Sequence, residues 1–166
     1  MGFLPFPADD EMSPDAATAR EAFLAEHPGP LSNLDRTLLG SKVVWHSYIA
    51  WFELHDEIAP YVGERAVSLF SLAISEGYGA PYPVAFFRKA LADAGDDPEA
   101  PQVTEAEQLL IDWGRALGAG PATVDPALAA RVEETFQPQL RLALTAFAGF
   151  MVATALVTVV GQIPFD

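Results

Sequence analysis

His46, Glu53 and Glu57 fall on one face of the helix that their surroundings predict. At about 100° per residue, both glutamates lie within about 20° of the histidine around the axis. One imidazole with two carboxylates can relay a proton or ligate a divalent cation. The plainer reading is a polar stripe turned to water. Glu64 and Ser68 sit one turn apart on the next predicted helix, on a face expected to point toward the Gly77–Pro83 breaker. Glu64 also complements the N-terminal end of that helix dipole. Tyr78 and Tyr82 flank Gly79-Ala80-Pro81, where phenols can line a pocket or cover a helix end. His27 reads as a cation at a helix C-terminus, and His55 lies on the face opposite His46.

Other chemistries are excluded by composition. The chain of 166 residues has no cysteine. Disulfides, zinc thiolates, iron–sulfur ligation and thiolate nucleophiles therefore all fall away. No Gly-rich phosphate loop, GxSxG elbow, HExxH pair or EF-hand loop occurs. No cofactor and no metal site is expected. Twenty-three acidic against 9 basic residues give a net charge of −14, which repels nucleic acid and anionic membrane surfaces. The opening Met1–Met12 lacks a basic region followed by an apolar one, so a cytoplasmic protein is expected. Hydrophobic content of 51% is high for such a chain, and a second copy of the protein is the expected cover for the excess.

The elements that would position these groups are helical throughout. No strand-like alternation longer than a few residues and no short internal repeat occurs. Residues 1–12 read as an extended, proline-punctuated arm, and 13–166 as one domain. Ser13 and Pro14 open a first helix that ends near His27 before Pro28-Gly29-Pro30. Ser32 or Asn33 opens a second, apolar on several sides, that runs to about Ala59 and is ended by Pro60. A third covers about Glu64–Glu76, and a fourth about Pro83–Ala94. Thr104 with Glu107 makes a capping box for a fifth that ends at Gly118-Ala119-Gly120-Pro121. Asp125 caps a sixth, and Pro138 opens a seventh reaching about Val160. Leu142–Val160 carries no charge and is long enough to span a bilayer. Its Ala, Gly and Thr content and the lack of a basic cluster at its far end favour a buried or subunit-interface helix over membrane attachment.

The stretch AVSLFSLAISEGYGAPYPVAFFRKAL, Ala66–Leu91, resembles the core of the AhpD-like alkylhydroperoxidase and carboxymuconolactone decarboxylase superfamily. TEAEQLLIDWGRALGAGPATV and ALAARVEETF are similar to the later helices of that family, and Pro30–Arg65 to its longer, peroxidase-related members. The resemblance implies an all-α bundle of about seven helices with a central helical hairpin, assembled as a homo-oligomer. It also implies that the catalytic motif is gone. The family's glutamate falls on Ser68, its two cysteines on Ala80 and Pro83, and its two histidines on Tyr82 and Phe87. The expected function is thus an oligomeric binding or structural protein without thiol peroxidase activity. Phe70, Tyr78 and Phe86 are the expected pocket residues, for a small hydrophobic or carboxylate ligand. The alternative is a non-redox enzyme, decarboxylase-like, acting on a small carboxylate or lactone through His46, Glu53, Glu57 or Glu64.

Overall fold

The structure, a computed structural model, describes residues 3–120, 122 and 124–166. Met1 and Gly2 of the arm, and Pro121 of the predicted breaker, lie outside the described residues. The described chain is all-helical, with eight helices rather than about seven: α1 (Pro14–Glu26), α2 (Asn33–Leu38), α3 (Lys42–Val62), α4 (Glu64–Tyr78), α5 (Pro81–Asp93), α6 (Glu105–Ala119), α7 (Pro126–Thr135) and α8 (Pro138–Gly161).

The additional helix comes from a break in the long second one. The chain leaves helix after Leu38, and Ser41 caps a new start by accepting from the Val44 N–H at 3.5 Å. A side chain at Gly40 would collide with Pro5 of the arm, so the break doubles as a seat for that arm. Leu4 rests over Gly161 in the same way. Pro60 does not end α3. The helix runs on to Val62, because a proline in the last turn frees only one exposed carbonyl from its amide partner. The other starts follow local chemistry. Ser13 Oγ accepts from the Ala16 N–H, Asp125 from the Ala127 N–H, and Ser32–Asp35 and Thr104–Glu107 form capping boxes.

Helix α4 lies at the centre, against α3, α5, α6 and α8. It leads into α5 through a two-residue turn in which Gly79 adopts φ 78°, a left-handed conformation that a Cβ would strain. The α4–α6 crossing is unusually close. Gly77 on one helix and Gly114 and Gly118 on the other place backbone against backbone, and a Cβ on Gly114 would lie 2.8 Å from the Phe70 carbonyl oxygen. Two apolar clusters result. The larger gathers Phe70, Leu69, Ile74, Leu144 and Phe147 around α4 and α8. The smaller gathers Leu31, Leu34, Leu38, Leu39, Trp45, Tyr82 and Ile163 around α2. Helix α8 is the one described helix long and apolar enough to cross a membrane, with mean hydropathy 2.1 and 39% of that stretch buried. Its outer side exposes Leu142, Leu156, Val159 and Val160.

One ion-pair hub ties the loop between α5 and α6 to α4. Arg65 donates from Nε to Asp96 Oδ2 at 2.6 Å and from Nη2 to Asp96 Oδ1 at 3.0 Å and the Gln102 carbonyl at 2.8 Å, and it also bonds Glu107. The Arg65 guanidinium holds the Asp96 carboxyl below its ordinary 3.8. At Glu107 burial pushes upward, but the Thr104 amide, Arg65 and the Thr104 hydroxyl outweigh it, and the carboxyl settles below 4.5. Both folded pKa values are depressed. The stabilisation is therefore complete above the unfolded values and is lost as pH falls through the folded ones. Replacing Arg65 by Met should lower stability at neutral pH and flatten its decline under acid. Urea midpoints between about pH 3 and pH 7 read this directly. Equal acid slopes in the two proteins would contradict it.

Candidate functional site

A cavity of about 590 Å³ lies along the seam between the two apolar clusters. Helix α1 contributes Phe23, α3 contributes Tyr48, Trp51 and Phe52, α5 contributes Tyr82, Pro83, Phe86 and Phe87, and α8 contributes Met151 and Thr154. Pro28-Gly29-Pro30 and the start of α2, with Ser32, Leu34 and Asp35, complete the wall. The aromatic residues of α3 fall here because Tyr48, Trp51 and Phe52 follow the three- and four-residue spacing of one helix face. Their rings support one another. Trp51 stacks on Tyr48 at 6.4 Å and on Phe147 at 5.6 Å, and Phe23 packs against Phe52 at 6.0 Å.

Polar groups are few and gathered near α2. Ser32 donates to Asp35 Oδ2 from its N–H at 3.0 Å and from its hydroxyl at 2.7 Å. The other oxygen, Oδ1, has no hydrogen-bond partner among the described residues. Burial raises the Asp35 pKa despite the Ser32 bonds, and Asp166 nearby pushes the same way. Tyr82 donates to Asp166 Oδ2 at 2.9 Å, and its phenol is pushed up to about 12, by burial first and then by Asp166. Asp166 also accepts from the Asn33 N–H at 2.8 Å, which fixes it at the start of α2. Burial raises the Tyr48 phenol as well. The indole N–H of Trp51 is buried without a partner. Among the described residues no Lys or Arg lines the cavity.

The chemistry-bearing residues of the sequence separate into those at this cavity and those elsewhere. Tyr82, Pro83, Phe86 and Phe87 are in its wall. Phe70 is not. It is fully buried in the larger core, stacked on Phe147 at 6.0 Å. Tyr78 also lies outside the wall, at the end of α4. Ala80 is buried in the α4–α5 turn, and Ser68 is half-buried on α4 outside the cavity. His46, Glu53 and Glu57 are exposed on α3, and none reaches the cavity. Among the described residues no group of three or more His, Asp or Glu side chains is placed to hold a metal ion. Glu64 points back across the α3–α4 junction rather than toward Gly77–Pro83, and pairs with His55 Nε2 at 3.0 Å. The His27 ring packs at a tilt against Phe23 and Phe52 at the cavity, a place the helix-end reading did not foresee.

Sequence reasoning missed Phe23, Tyr48, Trp51, Phe52 and Asp35 as site residues. The aromatic spacing on α3 was a usable signal. Nothing local could bring Phe23 and Asp35 to it, since the α1–α2 connection must fold over α3 first. No family model matches the chain, and no curated protein matches it.

Proposed function

We propose that the chain is a cysteine-free relative of the AhpD-like superfamily that binds a small hydrophobic molecule in the α1–α3–α5–α8 cavity and does not reduce hydroperoxides. One observation carries this. Tyr82, Pro83 and Phe87, three of the five positions on which the family's redox motif would fall, are part of an aromatic-walled cavity with few polar groups. Such a cavity is the usual form of a small-molecule site. Peroxide reduction by that superfamily needs a low-pKa thiolate and a partner to resolve it, and a chain with no cysteine has neither. The protein is further proposed to be cytoplasmic and to self-associate. The exposed Leu142, Leu156, Val159 and Val160 of α8 support self-association as a surface better covered than wetted.

The uncharged probe N-phenyl-1-naphthylamine should bind saturably to the purified protein and gain fluorescence. Thr154→Phe, which fills the cavity from α8, should abolish that gain while leaving the unfolding midpoint within a few degrees. Absence of saturable binding, or binding unaffected by Thr154→Phe, would overturn the reading. In the same preparation, cumene hydroperoxide with a dithiol reductant should be consumed no faster than in buffer.

A further inference from the structure

The proposed ligand can be given a charge. We infer that the cavity takes a hydrophobic organic cation, an amine or ammonium on an aromatic or aliphatic body, seated among Tyr48, Trp51, Phe52 and Tyr82 with its charged head toward Asp35. This rests on the cavity being a binding site, as proposed above.

Four features of the wall point the same way. The lining is dominated by aromatic rings, whose faces attract cations and gain strength when water is excluded. Asp35 brings a carboxylate into that lining, and its Oδ1 is left over once Ser32 has used Oδ2. Among the described residues the wall holds no Lys or Arg, its one basic group being the His27 imidazole, and the arginines of α1 and α2 are spoken for: Arg20 and Arg36 both bond Asp9, outside the cavity. Behind Tyr82, Asp166 adds a second carboxylate at 2.9 Å from the phenol oxygen. The ionisable groups that face the cavity are thus Asp35, Tyr48, Tyr82 and His27, with Asp166 one layer out. A carboxylate ligand would enter beside two carboxylates, with no Lys or Arg of the described wall to meet it. At longer range the net charge of −14 draws cations in and holds anions off.

Three ligands of one body and different heads separate the possibilities: 4-phenylbutylamine, 4-phenylbutan-1-ol and 4-phenylbutanoate, titrated calorimetrically into the full chain at neutral pH and low salt. The amine should bind about 10-fold or more tighter than the alcohol, and the acid should bind weakest. Asp35→Asn, which keeps the shape of the side chain, should bring the amine down to the alcohol's affinity and leave the alcohol within about twofold. The wild-type rank order decides by itself if that variant does not fold. An acid as tight as the amine, or an amine no tighter than the alcohol, would sink the cation while the bound alcohol upheld the cavity. If none of the three binds but N-phenyl-1-naphthylamine does, the cation is again refuted and the cavity stands. If the probe fails as well, both readings fall together.

Discussion

Gly118→Leu should yield no folded protein, and Gly118→Ala should lower the unfolding free energy by about 3 kcal/mol. A Cβ at this position would run into the carbonyl oxygen of Ile74 and lie 3.0 Å from that residue's Cα. These are backbone atoms in the middle of the central helix. No rotamer change relieves the clash, so α6 must lift from α4, and Phe70 and Leu110, both within 1% of full burial, lose packing with it. Against a total stability of about 5–15 kcal/mol, that is a large fraction. Gly149→Ala is the matching control. It lies within α8 with nothing within 4 Å of the added atom, so the usual helix preference for Ala applies and the variant should gain about 0.5–1 kcal/mol. Urea midpoints of the two variants should move in opposite directions. A Gly118→Ala midpoint equal to wild type would mean that the α4–α6 crossing is not as close as described.

Phe147→Ala should cost about 3–5 kcal/mol. The ring is fully buried and stacks on Trp51 of α3 and Phe70 of α4, so it joins three helices through one side chain. Its removal leaves a void that rigid neighbours cannot close, which adds a cavity term to the lost transfer energy. There is a second consequence. Trp51 is part of the wall of the functional cavity, and without Phe147 behind it the indole is free to lean away. Tryptophan emission should therefore change in the folded variant, and affinity for N-phenyl-1-naphthylamine should fall. Gln139→Ala, at an exposed polar position of the same helix, should change the unfolding free energy by less than about 0.5 kcal/mol. Similar losses from both would show that α8 does not face the core as described.

The legibility of this chain divides by distance along the sequence. Ser13, Thr104 with Glu107, and Asp125 announce helix starts because a cap is made within three residues. The break at Gly40-Ser41 was harder to see. Leu38, Leu39, Val43, Val44 and Trp45 continue the apolar run across it, and what requires the glycine is Pro5, far away in sequence. Pro60 misled for the opposite reason, since a breaker so near a helix end has little left to break. The His46–Glu53–Glu57 face was legible as a face and, on its plainer reading, as one turned to water, because unpaired charged side chains are rarely buried. Phe86 was found as a pocket residue while Phe70, with similar credentials, belongs to the core. Both are aromatic positions on helices of the same region, and only the packing of α8 against α4 distinguishes them.

The way the smaller cluster is closed also sets an order of assembly. Helix α2 has only six residues, too few to persist without tertiary support. Its supports come from opposite directions: Asp9 reaches Arg36 across 27 positions, and Asp166 reaches Asn33 across 133. The second of these contacts, by far the longer in sequence, forms late, after the nearer pairing of α4 with α5 and α6 has reduced the chain's freedom. Until then Tyr48, Trp51 and Phe52 have no cover from α1 and α2. Refolding at high protein concentration should accordingly favour aggregation through this uncovered aromatic face, and dilution should restore the yield.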